Sequence, residues 1–141
     1  MINYQASCHC GSVQITVGHQ PEFINNCNCS LCSKAGALWG YYNTKDIEMS
    51  GETRSYLRKD KPAAVVEVHA CKVCASTTHS LFTEEYQKSS GITDRMGINM
   101  RLFNRDDLVG VEMRFPDGKS WPGEGEFVYR KQPIIIEPLT G

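Results

Sequence analysis

Alternating polar and apolar residues predict several short β-strands along the chain. Residues 12–17 alternate with a period of two, which is typical of a strand that buries one face. The same period recurs at 98–103 and 109–115, and residues 64–70 are rich in β-branched side chains. We expect further short strands at 23–24, 38–42 and 127–129.

The other stretches show little helical periodicity. Residues 33–37 could form one helical turn, which Gly36 would keep short. From Thr78 to Arg95 the sequence is polar and poorly patterned, and residues 89–91 are interpreted as a loop. The fold class expected is therefore mostly β, a small domain of packed antiparallel sheets. A length of 141 residues suits one domain, so we expect residues 1–141 to form a single unit.

Composition excludes some classes of partner. Hydrophobic residues make up 40% of the chain, charged residues 22%, and the formal net charge is −1. Because there is no polybasic tract, we expect no nucleic-acid partner. The chain begins without a basic and apolar leader, and no later stretch approaches the roughly 18 apolar residues of a membrane span. We therefore expect a cytoplasmic protein without membrane contact.

Seven cysteines, in three groups, are the strongest chemical signal. An odd number of thiols in an unsignalled chain favours metal binding over a disulfide framework, although disulfides or buried reduced cysteines are the alternatives. Short spacings of one or two residues are typical of zinc ligands. The three groups are Cys8 and Cys10; Cys27, Cys29 and Cys32; and Cys71 and Cys74.

The seven cysteines divide into a set of four and a set of three. The two outer pairs could close one four-sulfur structural zinc site, which would join the start of the chain to its middle. The central triplet then keeps an open position for water or substrate. A histidine could close it instead, and two central thiols could also pair with an outer pair. The histidines available are His9, His19, His69 and His79.

Charge indicates what an open three-thiolate zinc would bind. Zinc contributes +2 and three thiolates contribute −3, so the local sum is −1. Anionic sulfurs weaken the Lewis acidity that activates water at histidine-bound zinc. The triplet therefore favours a fourth thiol, supplied by a substrate, over hydroxide chemistry.

The cysteine motifs at residues 8–13, 27–37 and 71–74 resemble, in order and approximate spacing, those of the glutathione-dependent formaldehyde-activating enzyme family, also described as centromere-protein-V-like. The resemblance implies an Mss4-like, β-rich fold with two zinc ions, of which the second could be labile. It implies a structural zinc on Cys8, Cys10, Cys71 and Cys74 and a catalytic zinc on Cys27, Cys29 and Cys32.

The resemblance also implies an activity. The family's founding reaction is the reversible addition of glutathione to formaldehyde, which gives S-hydroxymethylglutathione, so the expected enzyme is a carbon–sulfur lyase or synthase. Glutathione is then the expected partner. The alternatives are a carrier that binds glutathione or another thiol without catalysis and a zinc-stabilised interaction domain.

The chain departs from the family pattern at three positions. Ala70 and Ala75 flank the last cysteine pair, where family members commonly carry an aromatic residue and a glycine. A glycine there would let the backbone turn tightly around the sulfurs. Asn28 stands beside the open position, where histidine is frequent.

Glutathione carries two carboxylates, so its site would need basic residues. Lys34, two residues beyond Cys32, is the substrate-binding candidate, and Arg54, Arg58, Arg101 and Arg105 are further possibilities. Trp39, Tyr41 and Tyr42 could form a pocket wall. The sequence does not single out an acid or base among Glu84, Glu85, Tyr86 and His79.

Overall fold

Two β-sheets and two short helices make up the structure, a computed structural model that describes residues 3–138. Eleven strands are divided between a three-stranded sheet and an eight-stranded sheet. This architecture confirms the prediction of a mostly β fold. Neither helix within residues 3–138 has the length and apolar character that crossing a membrane requires.

The small sheet confirms the strand that the alternation predicts near the N-terminus. Strand β2 (Gln14–Val17) lies between β1 (Tyr4–Ser7) and β5 (Ile47–Ser50), and both pairings are antiparallel. Ile15 and Val17 are buried, whereas Gln14 is exposed. The period of two therefore reflects one face turned toward the core.

The large sheet contains eight strands, which are β3 (Phe23–Asn25), β4 (Trp39–Asn43), β6 (Thr53–Leu57), β7 (Val66–Cys71), β8 (Thr77–Phe82), β9 (Arg95–Asn99), β10 (Glu112–Arg114) and β11 (Ile134–Ile135). Their order across the sheet is β11-β10-β3-β4-β9-β8-β7-β6. The pairings are antiparallel except that of β3 with β10, which is parallel. Parallel neighbours need a long connection, and most of the chain lies between these two strands.

The prediction of a loop at residues 89–91 is wrong for Ser89 and Ser90, and the poorly patterned stretch from Thr78 to Arg95 contains regular structure. Strand β8 runs through it, followed by helix α2 (Glu84–Ser90). The strand carries no alternation because three consecutive polar residues, Thr78, His79 and Ser80, are all buried. The Thr78 hydroxyl donates to the His69 carbonyl at 3.2 Å, which makes this burial tolerable.

Other predicted boundaries also shift. Strand β9 ends at Asn99 and passes into a 3-10 turn, Met100–Leu102. Residues 127–129 form no strand, although Tyr129 makes one isolated bridge to Pro116. The helical turn expected at 33–37 begins earlier, as α1 (Ser30–Ala35), and ends at Gly36 in the left-handed conformation.

Apolar residues form two clusters. The larger one joins the sheets and includes Ile15, Ile24 and Ile98, each with 0% exposure. The smaller one includes Trp39 and Val68 and packs against α1. Because neighbouring residues of a strand face opposite sides, β4 directs Tyr42 into the first cluster and Trp39 into the second.

Asn99 connects three segments at the end of β9. Its side chain is buried and donates to the Thr77 carbonyl at 2.9 Å, while its Oδ1 accepts from the backbone N–H groups of Leu38 and Arg101, both at 3.2 Å. Loss of this amide would leave buried backbone groups without partners.

We expect Asn99→Ala to lower the free energy of unfolding by roughly 2–4 kcal/mol, because three hydrogen bonds to the backbone are lost and a small cavity is created. Guanidinium titration of the folded protein measures this change. The control is Asn104→Ala, since Asn104 is exposed and makes no side-chain capping bond. Equal effects of the two substitutions would contradict the role assigned to Asn99.

Candidate metal centres and the adjoining cavity

The four outer cysteines converge on one point. Their sulfurs all lie within 4.8 Å of one another, although Cys10 and Cys71 are 61 residues apart. The Cys8 and Cys10 sulfurs are 3.6 Å apart, and those of Cys10 and Cys71 are 3.7 Å apart. A tetrahedron with metal–sulfur bonds of about 2.3 Å has edges of about 3.8 Å, so the spacing fits a four-thiolate metal ion such as zinc.

Hydrogen bonds to the sulfurs of Cys8, Cys71 and Cys74 favour the anionic form of these thiols. The backbone N–H of Val13 donates to the Cys8 sulfur at 3.2 Å. The N–H of Cys74 holds the pKa of Cys71 below its usual value, and the Ser76 hydroxyl lowers the pKa of Cys74 to about 5. Metal binding requires deprotonated thiols, so these contacts suit Cys8, Cys71 and Cys74 to a ligand role.

The turn that carries Cys71 and Cys74 adopts the backbone conformation expected of a glycine. Ala75 has a φ of 65°, and it is the only non-glycine residue within 3–138 with a positive φ. Its N–H donates to the Cys71 carbonyl at 2.9 Å, which closes the turn. The turn therefore keeps its shape with alanine, at the cost of strain that glycine would not have.

The central triplet is assembled by one strand end and one helix start. Strand β3 leads into Cys27, and Cys29 caps α1, where its sulfur accepts from the Cys32 N–H at 3.3 Å. The three sulfurs lie within 4.8 Å of one another. No histidine, cysteine or carboxylate elsewhere in residues 3–138 joins this group. The set therefore offers a metal ion three ligands, as the sequence predicts.

Without a cation the three thiols cannot all ionise. Hydrogen bonds from Cys27, and then from Cys32, hold the pKa of Cys29 well below its usual value. The pKa of Cys32 is raised by its hydrogen bond to Cys27, then by Cys29 and by burial. The pKa of Cys27 is also raised, first by Cys29. The sulfurs therefore affect one another's ionisation, and a divalent cation would favour the anionic form of all three.

Two residues from elsewhere contact the triplet directly. The Trp39 indole N–H donates to the Cys32 sulfur at 3.4 Å, and such partners orient metal ligands. Gly118 approaches so closely that a Cβ at this position would overlap the Cys27 sulfur. This close approach makes residue 118 part of the wall of the site.

Asn28 ties the segment around Gly118 to the triplet. Its Nδ2 donates to Asp117 Oδ1 at 2.9 Å, and its Oδ1 accepts from the Lys119 N–H at 3.0 Å. Arg130 reinforces the contact by donating to the carbonyls of Asn26 and Pro116. The departure from histidine at residue 28 therefore has a structural explanation, because asparagine clamps the C-terminal segment with both ends of its amide.

A cavity of about 360 Å³ opens beside the triplet. All three cysteines line it, together with residues from β3, β4, β8, α2 and the C-terminal segment 116–127. Asn25 lies at its wall, where Nδ2 donates to the Tyr41 hydroxyl at 3.4 Å and the buried Oδ1 has no partner. The triplet thus lies in a space large enough for a small molecule.

Residues 3–107 match the profile of the glutathione-dependent formaldehyde-activating enzyme family. The chain belongs to this family. A comparison with curated proteins finds no match. A crystal structure of a Rhodobacter sphaeroides protein has the same fold, with a TM-score of 0.56 at 23% identity, covering 76% of this chain and 96% of that one.

The glutathione-dependent formaldehyde-activating fold positions basic residues differently from the sequence prediction. Lys34 is exposed in the last turn of α1 and does not line the cavity, whereas Arg58, Lys61 and Arg95 do. The Arg58 side chain is only 9% exposed and forms two 2.8 Å bonds to Asp60. Asp60 raises the pKa of Arg58, which therefore stays cationic beside the triplet.

Of the other candidate site residues from the sequence, some line the cavity and others do not. Trp39, Tyr41 and Tyr86 line the cavity. The remaining basic candidates, Arg54, Arg101 and Arg105, do not line it, and neither do the carboxylates Glu84 and Glu85, nor Tyr42. His79 is buried in β8 and stacks on His69, with ring centroids 4.3 Å apart.

Several residues of the site were not anticipated. Gly118, Trp121 and Phe127 line the cavity, although the sequence predicted only a strand at 127–129 in this region. A weak signal was available, since residues 116–127 combine aromatic residues with many glycines and prolines and no clear periodicity. Such a segment is typical of a loop that covers a site.

We expect Ala75→Gly to raise the free energy of unfolding by about 1 kcal/mol, because glycine relieves the left-handed strain and keeps both cysteines in place. Denaturant titration of the metal-loaded protein measures the change. Ala63→Gly is the matched control at an exposed loop position with ordinary φ, where the same exchange should destabilise by about 0.5–1 kcal/mol. If glycine destabilised the protein at both positions, the strain assigned to Ala75 would be contradicted.

Proposed function

We propose that this protein is a zinc-dependent carbon–sulfur lyase that adds a thiol, glutathione by preference, reversibly to an aldehyde. One observation carries the proposal: three mutually close cysteine sulfurs, without a fourth side-chain ligand in residues 3–138, line a small-molecule cavity. Family membership supports glutathione and formaldehyde as the reactants.

Zinc is the metal proposed at both cysteine groups, because thiolate ligands at tetrahedral spacing select it. Bound at the triplet, it would hold the substrate sulfur as a thiolate and keep that sulfur nucleophilic. At Cys8, Cys10, Cys71 and Cys74 it would be structural. Because metal-binding thiols persist in reducing compartments, we also propose a cytoplasmic location.

The cavity has the charge that an anionic thiol requires. Arg58, Lys61 and Arg95 line it, and no carboxylate side chain of residues 3–138 does. Glutathione brings two carboxylates, which guanidinium and ammonium groups can bind. The ion pair with Asp60 fixes the Arg58 guanidinium in place, so that it can orient the thiol with little loss of side-chain entropy. Lys34, exposed nearby, remains a candidate for an outer contact.

Tyr41 is the proposed donor to the aldehyde oxygen. Burial raises the pKa of its phenol, so the hydroxyl keeps its proton. Asn25 donates to the Tyr41 oxygen, which leaves the O–H free to point into the cavity. When the sulfur forms its bond to the carbonyl carbon, an electron pair moves onto the oxygen, and a hydrogen bond from Tyr41 stabilises the developing charge. The proton of the thiol ends on this oxygen.

Exchange between formaldehyde and its glutathione adduct should be faster with the protein than without it. Cys29→Ser should abolish the acceleration, because it removes a ligand from the triplet. Tyr41→Phe should reduce it by about ten- to a hundred-fold, since one hydrogen bond to the oxyanion is lost. NMR exchange spectroscopy measures the rates. Val128→Ala, an exposed position outside the cavity, is the control and should behave as wild type.

No acceleration by the wild-type protein would reject the lyase proposal. Glutathione binding without acceleration, measured by calorimetry on the same samples, would favour a thiol carrier.

The two cysteine groups should respond differently to serine. Cys71→Ser should lower the melting temperature by about 10 °C or more, because the free energy of structural metal binding is also folding free energy. Cys32→Ser should change it by no more than about 3 °C while abolishing glutathione binding. Differential scanning calorimetry and elemental analysis measure stability and zinc content. Equal destabilisation by the two variants would contradict the division into a structural and a substrate-binding group.

A further inference from the structure

Six aromatic side chains line the cavity around the triplet. The polar tips of two of them are engaged by the protein itself: the Trp39 N–H donates to Cys32, and the Trp121 N–H donates to the Gly125 carbonyl at 3.0 Å. The rings therefore present apolar surfaces to the cavity. The aromatic residues that line it are Trp39, Tyr41, Phe82, Tyr86, Trp121 and Phe127.

Two of these rings form a prearranged wall. Trp121 and Phe127 lie with ring centroids 4.7 Å apart and an interplanar angle of 35°. The backbone N–H of Trp121 donates to the Gly118 carbonyl at 3.3 Å, which connects residue 121 to the glycine that abuts Cys27. The Asn28 clamp holds the same segment. The pair is thus attached to the triplet by a short chain of contacts.

This wall has no use in a reaction of formaldehyde alone. Formaldehyde brings one carbon and two hydrogens, so its adduct adds almost no apolar surface to glutathione. The tripeptide itself is strongly polar and is better served by the cationic side chains. Aromatic walls favour a ligand with a ring of its own, which can stack or meet them edge to face.

The wall also lies outside the part of the chain that matches the family. The profile ends at residue 107, whereas Trp121 and Phe127 follow it. The shared part supplies the cysteines and Arg58, and the segment after it supplies a surface that the family match does not describe. A specificity element is expected in such a segment, since loops on a common scaffold can vary while the reactive groups stay fixed.

We propose, resting on the proposed lyase function, that the carbonyl substrate is an aldehyde that carries an aromatic ring, and that Trp121 and Phe127 bind this ring. The sulfur of glutathione forms a bond to the aldehyde carbon, the carbonyl π bond breaks, and the thiol proton ends on the oxygen. The product is a hemithioacetal, and the step needs no oxidant or reductant. Trp121 and Phe127 are specificity residues, whereas the cysteines and Tyr41 act on the reacting atoms.

Stable glutathione thioethers test whether the wall binds an aromatic ring, because they bind without reacting. Calorimetry on the zinc-loaded protein should show that S-(2-phenylethyl)glutathione binds at least about tenfold more tightly than S-methylglutathione, because only the former places a ring against the wall. Trp121→Leu and Phe127→Leu should each reduce this preference, the ratio of the two affinities, by about threefold or more. Val128→Ala, exposed and next to Phe127, should keep the full preference.

Equal affinity of the wild-type protein for the two thioethers would overturn the inference. A full preference in both leucine variants would overturn the assignment of the ring site to this wall. Should one variant fail to fold, as judged by circular dichroism, the other still tests the assignment.

Exchange kinetics separate this inference from the proposed function. With glutathione, the reaction of phenylacetaldehyde should be accelerated more strongly than that of formaldehyde, and Trp121→Leu should reduce this advantage. Acceleration of formaldehyde without any advantage for phenylacetaldehyde would overturn the inference and leave the lyase function standing. Acceleration of neither aldehyde, with tight phenylethyl thioether binding retained, would overturn the lyase function and support an aromatic ligand.

Discussion

The meeting of four cysteine sulfurs is the constraint on which the rest of the structure depends. Cys8 and Cys10 precede the central strand of the small sheet, whereas Cys71 ends a strand of the large one. A three-stranded sheet of four-residue strands has little stability of its own. Holding the sulfurs together closes a long loop and fixes the small sheet against the shared core. Ile15 and Val17 can then bury their side chains against residues of the other sheet.

Local signals in the sequence were sufficient for part of the fold. The alternation around Ile15 predicted β2, because one face of that strand is buried and the other is not. The same reasoning failed for β8, where Thr78, His79 and Ser80 are buried together. The Thr78 hydroxyl finds its partner, the His69 carbonyl, on a neighbouring strand that only folding brings near, so hydrophobic periodicity could not reveal β8.

Part of the candidate site could likewise be predicted from local sequence, and part could not. Cys27, Cys29 and Cys32 lie within six residues of one another, so their spacing alone predicted that they form one group. Gly118 is far away in sequence, and its contact with Cys27 depends on the parallel pairing of β3 with β10. No local pattern encodes such a contact. Proximity in sequence favoured Lys34 as the basic residue beside the triplet, whereas Arg58, a further possibility from the sequence, lines the cavity.

The amide of Asn28 has a consequence for how the two halves of the cavity behave. It is covalently attached to the cysteine turn and hydrogen-bonded to the segment that bears Trp121, so motion of one is resisted by the other. When the cysteine turn or the segment that bears Trp121 becomes ordered, the other has less conformational entropy left to lose on ordering. If a ligand orders one element, thermodynamic linkage would strengthen binding at the other by the same factor. The Asn28 amide, reinforced by Arg130, is the physical connection through which such linkage would act.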